Sequence, residues 1–163
     1  MAKMTIKAGE EWALKLGKVG DASREICNKA VKAGAGILAD AIRANIKALP
    51  DDTYRYLRDG DMFTGLPPSQ KEDLLDSLGV TPVLQDREGW INAKVGFDGY
   101  GQHKTKKYPK GIPNPMLAAS VERGSSVREA TPFVKPAIQS KKKECENEMQ
   151  KIIDEEIEKV MKG

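Results

Sequence analysis

Aromatic residues are scarce in this chain, at 6% of 163 residues, and so are the side chains on which most catalytic chemistry rests. His103 is the sole histidine. It stands in a lysine-rich stretch where Asp98 is the one acid within ten residues, so it lacks the orienting partner that a general base or metal-bound imidazole takes. It reads as a surface loop residue. Cys27 and Cys145 form no Cys-x-x-Cys pair and fall in two separate helical patterns. With one histidine they give no metal-ligand spacing, and they read as small buried hydrophobes rather than a disulfide.

No run of 18 apolar residues occurs, so no transmembrane helix is expected. The opening "MAKMTIKAGEEW" has no apolar h-region, so no secretory signal is expected and the chain should be cytosolic when made. Nucleotide-binding glycine patterns are missing too. "GAGILAD", residues 34–40, sits inside a helical pattern with no strand before it. There is no Gly-x-Ser-x-Gly, and the seven serines show no histidine–acid relay. Asp51–Asp52 and Asp59–Asp61 read as turn and helix-stop residues. Glu72, Asp73 and Asp76 read as acids that suit a short helix. The expectation is a non-enzyme with no catalytic, cofactor-binding or metal-binding residues, no cofactor and no membrane partner.

What the chain does have is helix-forming surface: 39% hydrophobic and 31% charged residues, a composition that fits one domain spanning 1–163. The net charge of +3 is unevenly spread. Residues 61–98 carry three basic and seven acidic side chains, whereas residues 99–138 carry seven basic and two acidic. Such neighbours can be ordinary solvated surface, or can meet across subunits or face different partners.

Residues 6–18 predict a short helix with Trp12, Leu14 and Leu16 on its apolar side, weakened at Gly17 and Gly20. Asp21 then caps a long helix over 21–49. In that helix Ile26, Ala30, Ala33 and Ile37 line one stripe, and Cys27, Val31, Leu38, Ile42, Ile46 and Leu49 line its neighbour. Gly34 and Gly36 permit a close crossing or a bend, and Pro50 ends the helix. "PDDTYRYLRDGD" reads as a polar linker. A short helix over 69–78 follows, with Ser69 and Glu72 at capping-box spacing and Gly79 as its C′ residue. Residues 80–86 and 89–97 predict an antiparallel hairpin, with Ile91, Ala93, Val95 and Phe97 on one face. A third strand is expected over 116–124. Residues 99–116, with four lysines, no acid, three prolines and three glycines, are expected to project as a flexible loop. Residues 132–161 predict a final amphipathic helix. The expected class is therefore α+β: a long N-terminal and a C-terminal helix packed on a small, mostly antiparallel sheet of about three to four strands.

Two features are candidates for function. Lys104, Lys106, Lys107 and Lys110, with Tyr100 and Tyr108 beside them, could contact a polyanion: lysines meet phosphates and tyrosines stack on bases. The second feature is "ATPFVKPAI", residues 130–138. Thr131 as N-cap with Pro132 at N1 would start a helix, yet Pro136 would then fall in its fifth position and delete a bond. Alternatively the helix starts at Pro136 after an extended "TPFV". Phe133 is a core anchor or a contact to a neighbour.

Read together, "SVERGSSVREATPFVKPAI", residues 120–138, resembles the C-terminal signature of tailed-phage head–tail joining and tail-completion proteins, phage or prophage encoded. In that family a strand ends in Glu-x-Gly-Thr/Ser and leads through a loop into Pro-Phe-apolar-basic-Pro-Ala. Glu122, Gly124 and Ser125 match the first part, and Pro132, Phe133, Val134, Lys135, Pro136 and Ala137 the second. "TGLPPSQKEDLLDSLGV" is similar to a lengthened form of the family's segment before its hairpin. The resemblance implies a structural protein of virion assembly that completes the tail or neck and helps join head to tail as a ring of its own copies. It implies neck, connector or tail-tube proteins as partners, with possible transient contact with DNA. Its location would be the host cytoplasm during assembly, and then the neck or tail end of the virion. The alternative is a nucleic-acid-binding accessory protein acting through the loop at 99–116.

Overall fold

The computed structural model describes residues 10–52 and 60–163, with side chains of the first helix described from Gly17 onward. Residues 6–9, the side chains of Trp12, Leu14 and Leu16, and linker residues 53–59 lie outside the described residues. Helix α1 runs Glu10–Lys47 without a break. The interruption expected at Gly17 and Gly20 does not occur, and Asp21 is helical rather than a cap. A glycine inside a helix costs only about 1 kcal/mol against alanine, and the hydrogen-bond ladder is continuous on both sides.

Helix α2, Pro68–Ser77, follows. Then come four short strands, β1 Leu78–Val80, β2 Leu84–Gln85, β3 Ile91–Asn92 and β4 Val95–Phe97. Helices α3, Asn114–Arg123, and α4, Val134–Lys162, complete the chain. The class is α+β as expected, but its strands form two antiparallel ladders of two strands each, β1 with β4 and β2 with β3. Both belong to one hairpin. Leu78 faces Phe97 and Val80 faces Val95, whereas further out Leu84 faces Asn92 and Gln85 faces Ile91. Between the ladders Thr81 donates its N–H to the carbonyl of Lys94. Residues 82 and 83 then stand against Ala93 alone. That extra residue is a bulge at Pro82, whose missing N–H cannot serve the ladder.

Helix α2 begins at Pro68 with Pro67 as its N-cap, and no side chain caps it, so the Ser69–Glu72 capping box is not used. Consecutive prolines set the entry instead, since Pro is tolerated at N1. Gly79 is a strand residue, not a C′ cap, because Leu78 is already extended and the chain passes directly from helix to strand. The third strand expected at 116–124 is helix α3. Pro115 falls in its first turn, and Leu117, Ala118 and Val121 are buried at helical spacing. Gly124 ends it at φ 78, with its N–H bonded to the carbonyl of Ser120 at 2.9 Å.

Helices α1 and α4 lie antiparallel along much of their length. Asn45 meets Phe133, Gly34 meets Met149, and Lys29 meets Glu156, so one number rises as the other falls. At 1.5 Å per residue α1 is about 57 Å long and α4 about 44 Å. The buried line on α1 runs through Ile26 and Ala30, then Ala39, Ile42 and Ile46. It thus passes from the first predicted stripe to the second. Gly34 is a close approach, as expected: a Cβ there would stand 2.7 Å from the Met149 sulfur, whereas Gly36 has nothing within 4 Å.

The core sits where the C-terminal half of α1 meets α2, α3, the base of the hairpin and the start of α4. Ile46, Leu66, Leu74, Val121 and Phe133 are its most fully buried large side chains. Gly65 lets the segment after the linker close on α1. Its φ is 79, a Cβ would stand 2.0 Å from the Pro50 carbonyl oxygen, and the same oxygen accepts the N–H of Leu66 at 3.0 Å.

Candidate functional site

The phrase at 120–138 joins two helices, α3 and α4, rather than a strand and a helix. Its geometry resolves the two prolines. The N-cap of α4 is Phe133, at φ −135 and ψ −23, so neither Thr131 nor Pro136 starts the helix. A helix leaves its first four N–H groups without intrahelical partners. Here those groups belong to Phe133, Val134, Lys135 and Pro136. The Glu122 carboxylate, projecting from the last turn of α3, accepts the N–H of Phe133 at 2.7 Å, of Val134 at 2.9 Å and of Lys135 at 2.9 Å. Pro136, third in the helix, has no N–H to satisfy. One carboxylate and one proline therefore account for all four.

Burial of Glu122 favours its neutral form, but the three N–H groups and the nearby Lys135 ammonium outweigh that and hold its pKa below the usual glutamate value. The helix N-terminus adds to this, being the end that favours negative charge. With both oxygens engaged, this carboxylate is a structural clamp between α3 and α4.

Phe133 is 1% exposed and stands edge-on to Phe97 of β4, ring centroids 5.9 Å apart. Asn45 of α1 donates its side-chain N–H to the Phe133 carbonyl at 2.9 Å. Of the two roles open to Phe133, the core anchor is the one the fold uses. Ala137 is buried one turn on and packs into the core. Gly124 faces its own loop closely: a Cβ would stand 3.0 Å from both the Ala130 nitrogen and the Arg128 oxygen. Ser125 shapes that loop, its hydroxyl accepting the Val127 N–H at 3.3 Å. Pro132 is exposed at the edge of the junction.

Two residues missed by sequence reasoning, Arg128 and Asp73, tie together segments distant in sequence. Arg128 is 7% exposed and its guanidinium donates to the Gly65 carbonyl, while Phe63 exchanges backbone bonds with Val127 and Glu129. The loop after α3 is thereby tied to the segment before α2. Asp73, expected only as a helix-favouring acid, is buried and accepts the Gln102 N–H at 3.0 Å. No local pattern marks either residue, because each partner is distant in sequence.

The stretch expected to project freely from 99 to 116 is anchored at its base and gives its last residues to α3. Gly101 donates to Ile112 at 2.8 Å, Ile112 to His103 at 3.1 Å, and Asn114 to Gly99 at 3.0 Å. Gly101 is buried against Asp73, and Gly111 against the Gly101 carbonyl oxygen. Thr105 and Tyr108 exchange backbone hydrogen bonds at the turn, and the Tyr108 hydroxyl reaches the Met116 sulfur at 3.3 Å. Lys104, Lys106, Lys107 and Lys110 are all exposed around this turn. Lys107 stands 5.5 Å over the Tyr108 ring. His103 is exposed, with its carbonyl used by the loop. Cys27 and Cys145 are both free thiols, partly buried.

The matched family covers α1, α2, the hairpin and the lysine turn as far as Tyr108. It is the HK97-gp10-like family, described as "Bacteriophage HK97-gp10, putative tail-component", and its model matches residues 10–108. The chain belongs to this family. The match ends before residue 120, so it rests on different residues from the signature at 120–138. No curated protein and no solved structure matches the chain. Among the described residues, no helix is long and apolar enough to cross a membrane.

Proposed function

We propose that this tail-component family member is a structural protein that completes the phage tail or neck and helps join heads to tails, acting as a ring of identical copies. The family match over residues 10–108 carries the reading. The junction agrees with it, because the groups most likely to be mistaken for chemistry are consumed in holding the fold: both oxygens of Glu122 are bonded to backbone N–H groups. What remains outward is surface, which is what an assembly protein uses. Neck, connector or tail-tube proteins are its expected partners, and its site is the virion. Deleting the gene from its phage and imaging the lysate is the test. Normal heads and normal tails that stay unjoined, restored by supplying the chain in trans, are the expected result. Intact infectious virions from the deletion sink the reading.

A second reading is favoured by one observation: the four turn lysines are exposed, and among the described residues none has an ion-pair partner. Contact with DNA through this turn predicts an affinity that falls steeply with salt and disappears when all four lysines become glutamine.

A further inference from the structure

Two apolar features on this fold lack a partner among the described residues. The first is the tip of the hairpin, where Trp90 is 69% and Leu84 60% exposed. The tip is held in shape: Asp86 accepts the N–H groups of Glu88 and Trp90, both at 2.9 Å, and donates its own N–H to the Trp90 carbonyl at 2.9 Å. An indole is thus presented to solvent on a braced turn. The second feature is a groove of about 640 Å³ between β4, α3 and the first turn of α4. It is lined by buried Ile42 and Ala118, half-buried Val95 and Phe97, and exposed Ala119 and Ile138, with exposed Arg123 and Lys135 beside them. Ile138 is itself 46% exposed.

We propose that the hairpin tip of one copy seats Trp90 in this groove on a neighbouring copy. The charges are complementary. Exposed Asp86 and Glu88 flank the tryptophan, against a single Arg87, and exposed Arg123 and Lys135 flank the groove. Asp86, Glu88 and Arg123 have no ion-pair partner among the described residues, and Lys135 stands near the Glu122 carboxylate without a close ion pair. Glu122 also borders the groove, where its carboxylate faces the N–H groups at the start of α4, so two bases stand against one acid there. The hairpin tip of a chain cannot fill that chain's own groove. Val95 and Phe97 are the base of the same ribbon, and five residues of strand place Trp90 about 16 Å from Val95, directed away from it. A tip that reaches this groove therefore comes from another copy, and the chain supplies a tip of matching chemistry.

Tip and groove are different surfaces, so the contact is head-to-tail, and repeating it closes a ring or extends a filament. It rests on the assembly reading and names the surfaces that would join its copies. A central aromatic anchor carries much of the affinity of such a contact.

The test uses the full chain with Trp12→Phe, leaving Trp90 as the only indole. Native mass spectrometry and tryptophan emission are followed as concentration rises to millimolar. The parent should associate, with emission moving to the blue. Trp90→Ala, read by mass, and Ala119→Glu, which places a carboxylate in the groove, should each weaken association about thirtyfold or more. Both sites are exposed, so thermal melting should be unchanged. An equal mixture of the two variants should restore pairing but stop at a one-to-one dimer, because only one intact tip and one intact groove remain. Parent oligomers that ignore Trp90→Ala overturn the contact and leave the assembly reading standing. A mixture that fails to pair overturns it as well. So does a parent whose emission stays unshifted at millimolar concentration, or shifts only when tail-tube protein is added. Joined, infectious virions from the deletion phage strike the assembly reading instead.

Discussion

Removing the Glu122 carboxylate should loosen the start of α4, by an amount that depends on pH in a defined direction. Its two oxygens take three N–H groups at 2.7, 2.9 and 2.9 Å. Replacing a capping side chain by alanine costs about 0.5–2 kcal/mol. Three donors lose their acceptor here, so Glu122→Ala belongs at the upper end, about 2 kcal/mol. In a domain of this size each kcal/mol lowers Tm by about 2–4 °C, which gives a fall of roughly 4–8 °C. Glu122→Gln keeps one oxygen and loses the charge, and should cost about half as much, about 1 kcal/mol. The carboxylate has a folded pKa below its unfolded value of about 4.3. Its contribution is fully present above that unfolded value and is lost as pH falls through the folded pKa. The gap between wild type and Glu122→Gln should therefore be constant near neutrality and shrink on acidification below pH 4. Denaturant unfolding followed by circular dichroism across that range measures it. A gap that does not shrink, or an alanine variant that melts with the wild type, refutes the clamp.

Three further outcomes follow from the same geometry. Phe133→Ala removes a ring that is 1% exposed and should cost about 3–5 kcal/mol by thermal or denaturant unfolding; unchanged melting with failed assembly would make Phe133 an interface residue instead. Pro136→Ala breaks no hydrogen bond and restores freedom to the unfolded chain, so a loss of about 0.4–1 kcal/mol is expected. A gain near 3 kcal/mol, the cost of proline inside a helix, would show that Pro136 is not in the first turn. Gly65→Ala should cost more than Gly60→Ala in urea unfolding. Both have positive φ, worth about 1–2 kcal/mol, but only Gly65 has a carbonyl oxygen 2.0 Å from the new Cβ. Equal losses would remove the clash from the explanation.

Much of the fold was legible wherever a periodic pattern coincided with local forces. Spacing alone places Ile42 and Ile46 on the buried side of α1 and Leu49 just past its end, and all three are buried. The hairpin was readable from alternation around Arg87 and Glu88. Its bulge was not, because Pro82 shows only that the ladder must skip a residue and not how the partner strand responds. The failures occurred where two local readings competed. "MLAASVERG" was read as a strand, although Leu117 and Val121 also stand one helical turn apart, and the prolines before them favour the helix. Gly17 and Gly20 suggested a break, but local propensity is a weak force against a continuous ladder.

The junction was legible as a pattern and illegible as a mechanism. "ATPFVKPAI" looks overdetermined when only its own residues are considered, because capping within the phrase leaves Pro136 in a costly place. The missing term was Glu122, eleven residues before Phe133. Once its carboxylate serves the first three N–H groups, proline is well suited to the fourth position, and Phe133 falls where its ring reaches Phe97. The signature is thus a statement about how two helices and a strand are held together. That has a consequence for function. The Glu122 carboxylate is occupied by this clamp, so on the proposed assembly reading the contacts fall to side chains that the clamp leaves outward. On the described surface they lie at the hairpin tip, the groove beside α4 and the lysine turn. The first two pair an exposed aromatic flanked by acids with an apolar groove flanked by bases, whereas the third is basic and has no apolar groove. If copies join tip to groove, the lysine turn remains free for a different, acidic neighbour, and substituting its four lysines should leave self-association untouched.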